Sequence, residues 1–117
     1  MKNRPFPQRL GFAVGGILQA LKSERSMRVH AVALTGLLIV LIITRPAPLW
    51  WAALLSSAGL VLMAELFNTA LEALADRLHP ESHPEIARAK DCAAGAVLLA
   101  SLVALGVAVA FLVQLLR

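Results

Sequence analysis

The sequence has 117 residues, a length that usually corresponds to one domain. Hydrophobic residues make up 59% of it and charged residues 15%, whereas soluble globular domains have about 45–50% and about 25%. This composition excludes a disordered chain and an ordinary soluble domain, and it predicts a small integral membrane protein. The net charge is +4, and the single cysteine excludes an intrachain disulfide.

The first 30 residues are strongly basic. They hold six of the eleven Lys and Arg residues and one acid, Glu24. Basic segments beside apolar spans favour the cytoplasmic side of a membrane, so we expect the N-terminus there, without a signal peptide. We expect no nucleic-acid binding, because these charges flank apolar spans instead of covering a soluble fold. Residues 10–22 have apolar side chains at helical spacing, which predicts either an amphipathic helix in the membrane interface or a cytoplasmic helix packed on the bundle.

Three apolar segments follow, at about residues 27–44, 49–75 and 91–116. Each is predicted to cross the bilayer as a helix, which takes about 20 residues. Pro46 and Pro48 separate the first two segments in a turn that cannot lie inside a helix.

The segment between the second and third spans, residues 76–90, is polar and contains two prolines, so we predict a cytoplasmic loop there. Its three basic residues, against one in the turn before the second span, agree with a cytoplasmic position. Three crossings then leave the C-terminus external. The predicted fold class is all-α, with three transmembrane helices and an N-terminal surface helix in one domain over residues 1–117.

The second span contains polar residues within its apolar sequence. Glu65, Asn68, Glu72 and Asp76 follow the spacing i, i+3, i+7, i+11, which places them in one stripe along a helix. An ionisable group inside a span costs roughly 2.5–3.5 kcal/mol, so the stripe needs a reason. It could bind a metal, carry a proton, pair with a basic residue or line a polar site.

Two more polar clusters lie at the same predicted membrane face. One contains Glu24, Arg28 and His30, and the other contains Lys90 and Asp91. Carboxylates suit Mg²⁺, which usually takes one or two of them together with substrate phosphates. The glycine-rich loop of soluble ATP-binding proteins is absent from the sequence. The residues alone therefore predict a polar, metal-binding site at the cytoplasmic interface.

The pattern E-L-F-N-T-A-L-E-A-L-A-D over Glu65–Asp76 resembles the prokaryotic integral membrane diacylglycerol kinase family, which includes undecaprenol kinases. The downstream pairs His83-Pro84 and Lys90-Asp91 and the upstream Glu24–Arg28 segment are similar to that family as well. The resemblance covers about residues 9–113.

The resemblance implies a homotrimer in the bacterial inner membrane, with active sites shared between subunits. The implied reaction transfers the γ-phosphate of MgATP to a lipid hydroxyl. It implies Glu65 as the general base, and Glu24 and Glu72 as ligands of Mg²⁺. The residues implied to line the nucleotide and phosphate site are Arg28, Asn68, Asp76, Lys90 and Asp91.

The expected lipid is diacylglycerol, which would give phosphatidic acid, and undecaprenol is the alternative. His30 occupies a position where some diacylglycerol kinases have an acid, and we assign it with Glu65 to lipid binding. Two other classes remain open. In one, a non-catalytic trimer uses Glu65 and Asn68 for helix association; in the other, Glu65 lies on a proton or ion pathway.

Overall fold

The computed structural model describes residues 2–117, so the first residue of the predicted domain lies outside the described part. The helices, in chain order, are α1 (Phe6–Ser23), α2 (Arg25–Thr44), α3 (Pro48–Leu78) and α4 (Pro84–Leu116). No strand occurs among residues 2–117. Three of the helices, α2, α3 and α4, are long and apolar enough to cross a membrane. The predicted all-α class with three candidate spans is therefore confirmed.

Proline marks the start of three helices. It is the second residue of α1 and the first residue of α3 and α4. Its fixed φ suits a helix there, and the N–H that proline lacks would have no hydrogen-bond partner within the helix at these positions. In α4 the preceding residue adds a cap, because the Nδ1 atom of His83 accepts a hydrogen bond from the backbone N–H of Glu85 at 3.1 Å. At its C-terminus α2 ends at Thr44, and the next residue, Arg45, has a left-handed φ of 47°.

The connection between α3 and α4 is shorter than the sequence predicts. Only residues 79–83 lie outside the helices, so the loop predicted over residues 76–90 is wrong in its extent. The second proline of this segment, Pro84, does not lie in a loop but begins α4. Glu85 and Arg88 then support the first turns of α4, since their side chains approach to 3.9 Å at i,i+3 spacing.

The N-terminal helix also begins earlier than predicted. Helix α1 starts at Phe6 rather than near residue 10, and it contacts both α2 and α3. Helix α3 is central, because it packs along α4 and contacts α1 and α2 as well. The polar stripe predicted within the second span lies on this central helix, where every other helix can contribute to its surroundings.

A cluster of apolar side chains packs tightly where α2 ends, α3 begins and α4 ends. Leu41, Leu54 and Phe111 are buried there, and the ring of Trp50 packs edge-on against Phe111 with centroids 5.5 Å apart. By contrast, only 6% of the most apolar 18-residue stretch of α4 is buried against the rest of the chain. Most of the surface of α4 is therefore left for contact with lipid or with another protein chain.

Candidate functional site

The side chain of Glu65 is buried, with 6% of the residue exposed, and it points from α3 towards α2. The hydroxyl of Ser26 donates a hydrogen bond to Oε2 at 3.1 Å. The Nε2 atom of His30 lies 3.2 Å from Oε1 of the carboxylate, and in the tautomer with a proton on Nε2 it donates a hydrogen bond to that oxygen. Because a buried carboxylate without partners is costly, these two contacts explain how α3 accommodates Glu65. Ser26, His30 and Glu65 are called the Glu65 cluster below.

Three other carboxylates line a cleft between α1 and α3. Glu72 and Asp76 line it from α3, and Glu24 lines it from the corner between α1 and α2. This acidic cleft has a volume of about 570 Å³. It therefore brings together, from two regions far apart in sequence, carboxylates that the sequence analysis assigned to one metal and nucleotide site.

Lys90 joins α4 to the acidic cleft. Its Nζ atom lies 2.6 Å from Oδ1 of Asp76. The apolar run of α4 begins at Cys92, so Lys90 lies outside the membrane-spanning segment. The hydrogen bond with the Asp76 carboxylate raises the pKa of Lys90, and the negative charges of Asp76 and Glu72 act in the same direction. The cleft thus has a cation beside its carboxylates at neutral pH.

Arg28 lies elsewhere, at the end of α1. Its Nη1 atom donates hydrogen bonds to the carbonyl oxygens of Leu21 at 3.0 Å and Lys22 at 2.8 Å. Carbonyl groups at a helix C-terminus have no partner within the helix, and basic side chains satisfy them. In this arrangement Arg28 ties α2 to the last turn of α1, beside Glu24.

Asn68 and Asp91 occupy two further positions. Asn68 faces a cavity between α3 and α4, where Ala93 and Ala96 are among its neighbours. The Oδ1 atom of Asn68 is buried and has no hydrogen-bond partner within residues 2–117. Asp91 is exposed at the start of the apolar run of α4. The structure thus leaves these two residues outside both the acidic cleft and the Glu65 cluster.

The predicted stripe on α3 is therefore divided among its neighbours. Glu65 meets α2, Asn68 lies towards α4, and Glu72 and Asp76 line the cleft beside α1. Sequence reasoning missed Ser26 as a contact of Glu65. Its spacing of four residues from His30, which places both on one face of α2, was the available signal.

The acidic cleft fits a divalent metal that arrives with phosphate. Glu24 and Glu72 supply two carboxylates to one space. No group of three or more His, Cys, Asp or Glu side chains placed to hold a metal occurs within residues 2–117. Mg²⁺ is usually bound by one or two carboxylates, with the remaining ligands from water and substrate phosphates. The donor set is thus suited to Mg²⁺ on a nucleotide rather than to a metal held by protein alone.

An apolar cavity lies between α2, α3 and α4 and has a volume of about 350 Å³. His30 lines this apolar cavity, which otherwise is formed by small and aliphatic side chains such as Ala58, Val61 and Leu105, with two serines. His30 therefore contacts the buried carboxylate of Glu65 and also borders a space suited to hydrocarbon.

Comparison with known proteins gives a consistent result. Residues 11–112 match the family model described as prokaryotic diacylglycerol kinase. A diacylglycerol kinase of Synechocystis is 36% identical over 94 residues, which are 80% of this chain and 54% of that protein. An undecaprenol kinase of Bacillus subtilis is 34% identical over 82 residues, 70% of this chain and 67% of that protein. A diacylglycerol kinase of Escherichia coli K12 is 33% identical over 94 residues, 80% of this chain and 77% of that protein. The match thus spans only about half the length of the Synechocystis protein.

Proposed function

Because the chain belongs to the prokaryotic diacylglycerol kinase family, we propose that it is a lipid kinase. It transfers the γ-phosphate of ATP to the hydroxyl of diacylglycerol and produces phosphatidic acid. The observation that carries this proposal is Glu65, a buried carboxylate held by two hydrogen bonds within an apolar helix. A carboxylate kept in that environment is suited to remove a proton from an alcohol.

In this proposal the two polar regions have different tasks. Glu65 takes the proton of the lipid hydroxyl, and His30 with Glu65 binds the lipid at the apolar cavity. The acidic cleft receives the phosphates of ATP, where Lys90 supplies positive charge. Asp76 and Lys90 are proposed to bind nucleotide and phosphate there. For Arg28, Asn68 and Asp91 the same role stays a prediction from the family resemblance, because none of the three lines the acidic cleft.

Glu24 and Glu72 would hold Mg²⁺ in the acidic cleft. When bound, Mg²⁺ neutralises charge on the phosphates, which phosphoryl transfer requires. Glu24 is the single residue between α1 and α2. The position of α1 therefore determines whether the carboxylate of Glu24 reaches the cleft that Glu72 also lines.

We place the protein in the bacterial inner membrane, with its N-terminus and acidic cleft on the cytoplasmic side and its C-terminus outside. The basic first 30 residues support this orientation. In it, α1 lies in the interface, where cytoplasmic ATP and membrane lipid can meet. We also propose a homotrimer with shared sites. The exposed apolar surface of α4 supports it, since a neighbouring subunit could cover that surface.

Undecaprenol is the second candidate lipid. The Bacillus subtilis relative that carries the name undecaprenol kinase is 34% identical, about as similar as the diacylglycerol kinases. Both alcohols can present a hydroxyl at the membrane surface while their hydrocarbon remains in the bilayer. The reaction class is therefore the same, and the lipid is decided by experiment.

The test is phosphate transfer from γ-labelled ATP with Mg²⁺ in mixed micelles that contain either diacylglycerol or undecaprenol. Label in phosphatidic acid supports the first lipid, and label in undecaprenyl phosphate supports the second. Glu65→Gln is expected to abolish transfer while ATP binding is retained. Glu85→Gln, an exposed glutamate at the start of α4, is the matched control and is expected to remain active. Label in neither lipid from folded protein would favour a non-catalytic role.

A further inference from the structure

The carboxylate of Glu65 has both of its observed partners on one helix. Ser26 contacts Oε2 and His30 contacts Oε1, and the two residues stand four apart on α2. Residues at this spacing lie on the same helix face. One face of α2 thus holds both oxygens of the buried carboxylate, at 3.1 and 3.2 Å.

His30 is the ionisable partner of Glu65 in this arrangement. The apolar cavity beside it, formed by α2, α3 and α4, is lined by no other ionisable side chain. Helix α4 carries no charged residue between Cys92 and Leu116. Towards α1, the acids Glu24 and Glu72 line the separate acidic cleft. On α2 itself, Arg28 is engaged with the carbonyl groups that end α1, and Arg25 is exposed.

The two contacts have a geometric consequence. Because Ser26 and His30 each contact one oxygen, they fix the plane of the Glu65 carboxylate. A general base must lie within hydrogen-bond reach of the proton that it takes. The orientation of Glu65 therefore depends on the face of α2 that carries Ser26 and His30.

We propose that His30 is a positioning residue, which together with Ser26 orients the carboxylate of Glu65 towards the lipid hydroxyl. This inference rests on the proposed lipid kinase function. In the step, the O–H bond of the lipid breaks and its proton moves to Glu65. The lipid oxygen bonds to the γ-phosphorus, and the bond from that phosphorus to the leaving oxygen of ADP breaks. His30 keeps its N–H throughout.

Two substitutions test the hydrogen bond from His30. His30→Leu removes it, so kcat is expected to fall roughly ten- to hundredfold. His30→Gln keeps an N–H donor, and it is expected to retain most of the activity. The KM for ATP is expected to be unchanged in both, because the acidic cleft is not altered.

Rescue by a conservative variant distinguishes positioning from packing. His30→Leu leaves an apolar side chain beside the apolar cavity, whereas His30→Gln restores an N–H donor near Oε1 of Glu65. A positioning role therefore predicts a low kcat in His30→Leu and recovery of kcat in His30→Gln. Ser26→Ala is the matched variant. It removes the other donor but leaves the imidazole, so it should lower kcat as well.

The possible outcomes are distinct. Full kcat in His30→Leu, or the same kcat in His30→Leu and His30→Gln, would overturn the inference. A higher lipid KM with unchanged kcat would do so as well, since His30 would then contact lipid without acting through Glu65. If His30→Leu does not fold, Ser26→Ala decides, and full kcat in that variant would overturn the inference. Absence of transfer to either lipid by the unchanged chain would instead overturn the proposed function.

Discussion

Arg28 shows how a basic residue near a charged site can act on backbone rather than on substrate. Its guanidinium donates hydrogen bonds to two carbonyl groups at the end of α1. Arg28 itself lies four residues, about one helical turn, after Glu24. If Arg28 binds phosphate, its substitution should have different effects than if it holds the last turn of α1 against α2. Arg28→Gln removes the charge and the paired donors, whereas Arg28→Lys keeps the charge but not the planar group.

We expect Arg28→Gln to loosen α1 and to lower the free energy of unfolding by about 1 kcal/mol, the typical value of a hydrogen bond. Hydrogen exchange at the amides of residues 20–24 should become faster, and the concentration of Mg²⁺ needed for half-maximal activity should rise. If Arg28 binds phosphate alone, exchange would be unchanged and only the KM for ATP would increase. Arg25→Gln, an exposed neighbour on α2, is the control.

The ion pair between Lys90 and Asp76 gives a second prediction. Because the carboxylate raises the pKa of Lys90 in the folded protein, the pair stabilises the fold below the ordinary lysine pKa of about 10.4. The contribution is lost as the pH rises through the raised value. In Asp76→Asn the pKa of Lys90 should return towards its ordinary value, measured by NMR titration of the side-chain nitrogen. If the pKa of Lys90 were the same in Asp76→Asn, an ion pair between Lys90 and Asp76 would be contradicted.

At the scale of the helices, hydropathy and proline spacing predicted most of the fold and little of the site geometry. The apolar segments became α2, α3 and α4 because only a helix satisfies its own backbone in lipid. The extent of the loop at residues 76–90 was not predictable in the same way, because Pro84 can end or begin a helix. The spacing of Glu65, Asn68 and Glu72 placed them in a stripe, but which neighbouring helix each one meets depends on packing that one sequence does not encode locally.

The end of α2 carries a prediction of its own. Arg45 has a φ of 47°, a left-handed conformation that costs other residues roughly 1–2 kcal/mol and glycine very little. We expect Arg45→Gly to raise the free energy of unfolding by about 1 kcal/mol. Arg45→Ala removes the same charge without relieving the backbone, so it should give no increase. Thermal unfolding in one detergent compares the two, and an equal response would contradict the backbone explanation.

At the scale of the whole molecule, the buried apolar cluster and the polar groups lie at opposite ends of the helices. Leu41, Leu54 and Phe111 pack beside the turn from α2 to α3, while the acidic cleft lies near the other end of α3. We expect Phe111→Ala to lower the free energy of unfolding by about 3–5 kcal/mol. Leu116→Ala, 85% exposed in the same helix, should change it by less than about 0.5 kcal/mol. The kcat of folded Phe111→Ala protein should remain that of the unchanged chain, and a comparable loss of kcat would show that the two ends are coupled.

The separation of these two ends bears on how such a chain can diverge. Leu37 and Leu54 line the apolar cavity and also belong to the cluster around Phe111, whereas His30 borders only the cavity. A substitution at the His30 end can therefore alter the surroundings of Glu65 while the contacts of Phe111 are retained. Relatives of similar identity to this chain bear the names of kinases for two chemically different lipids.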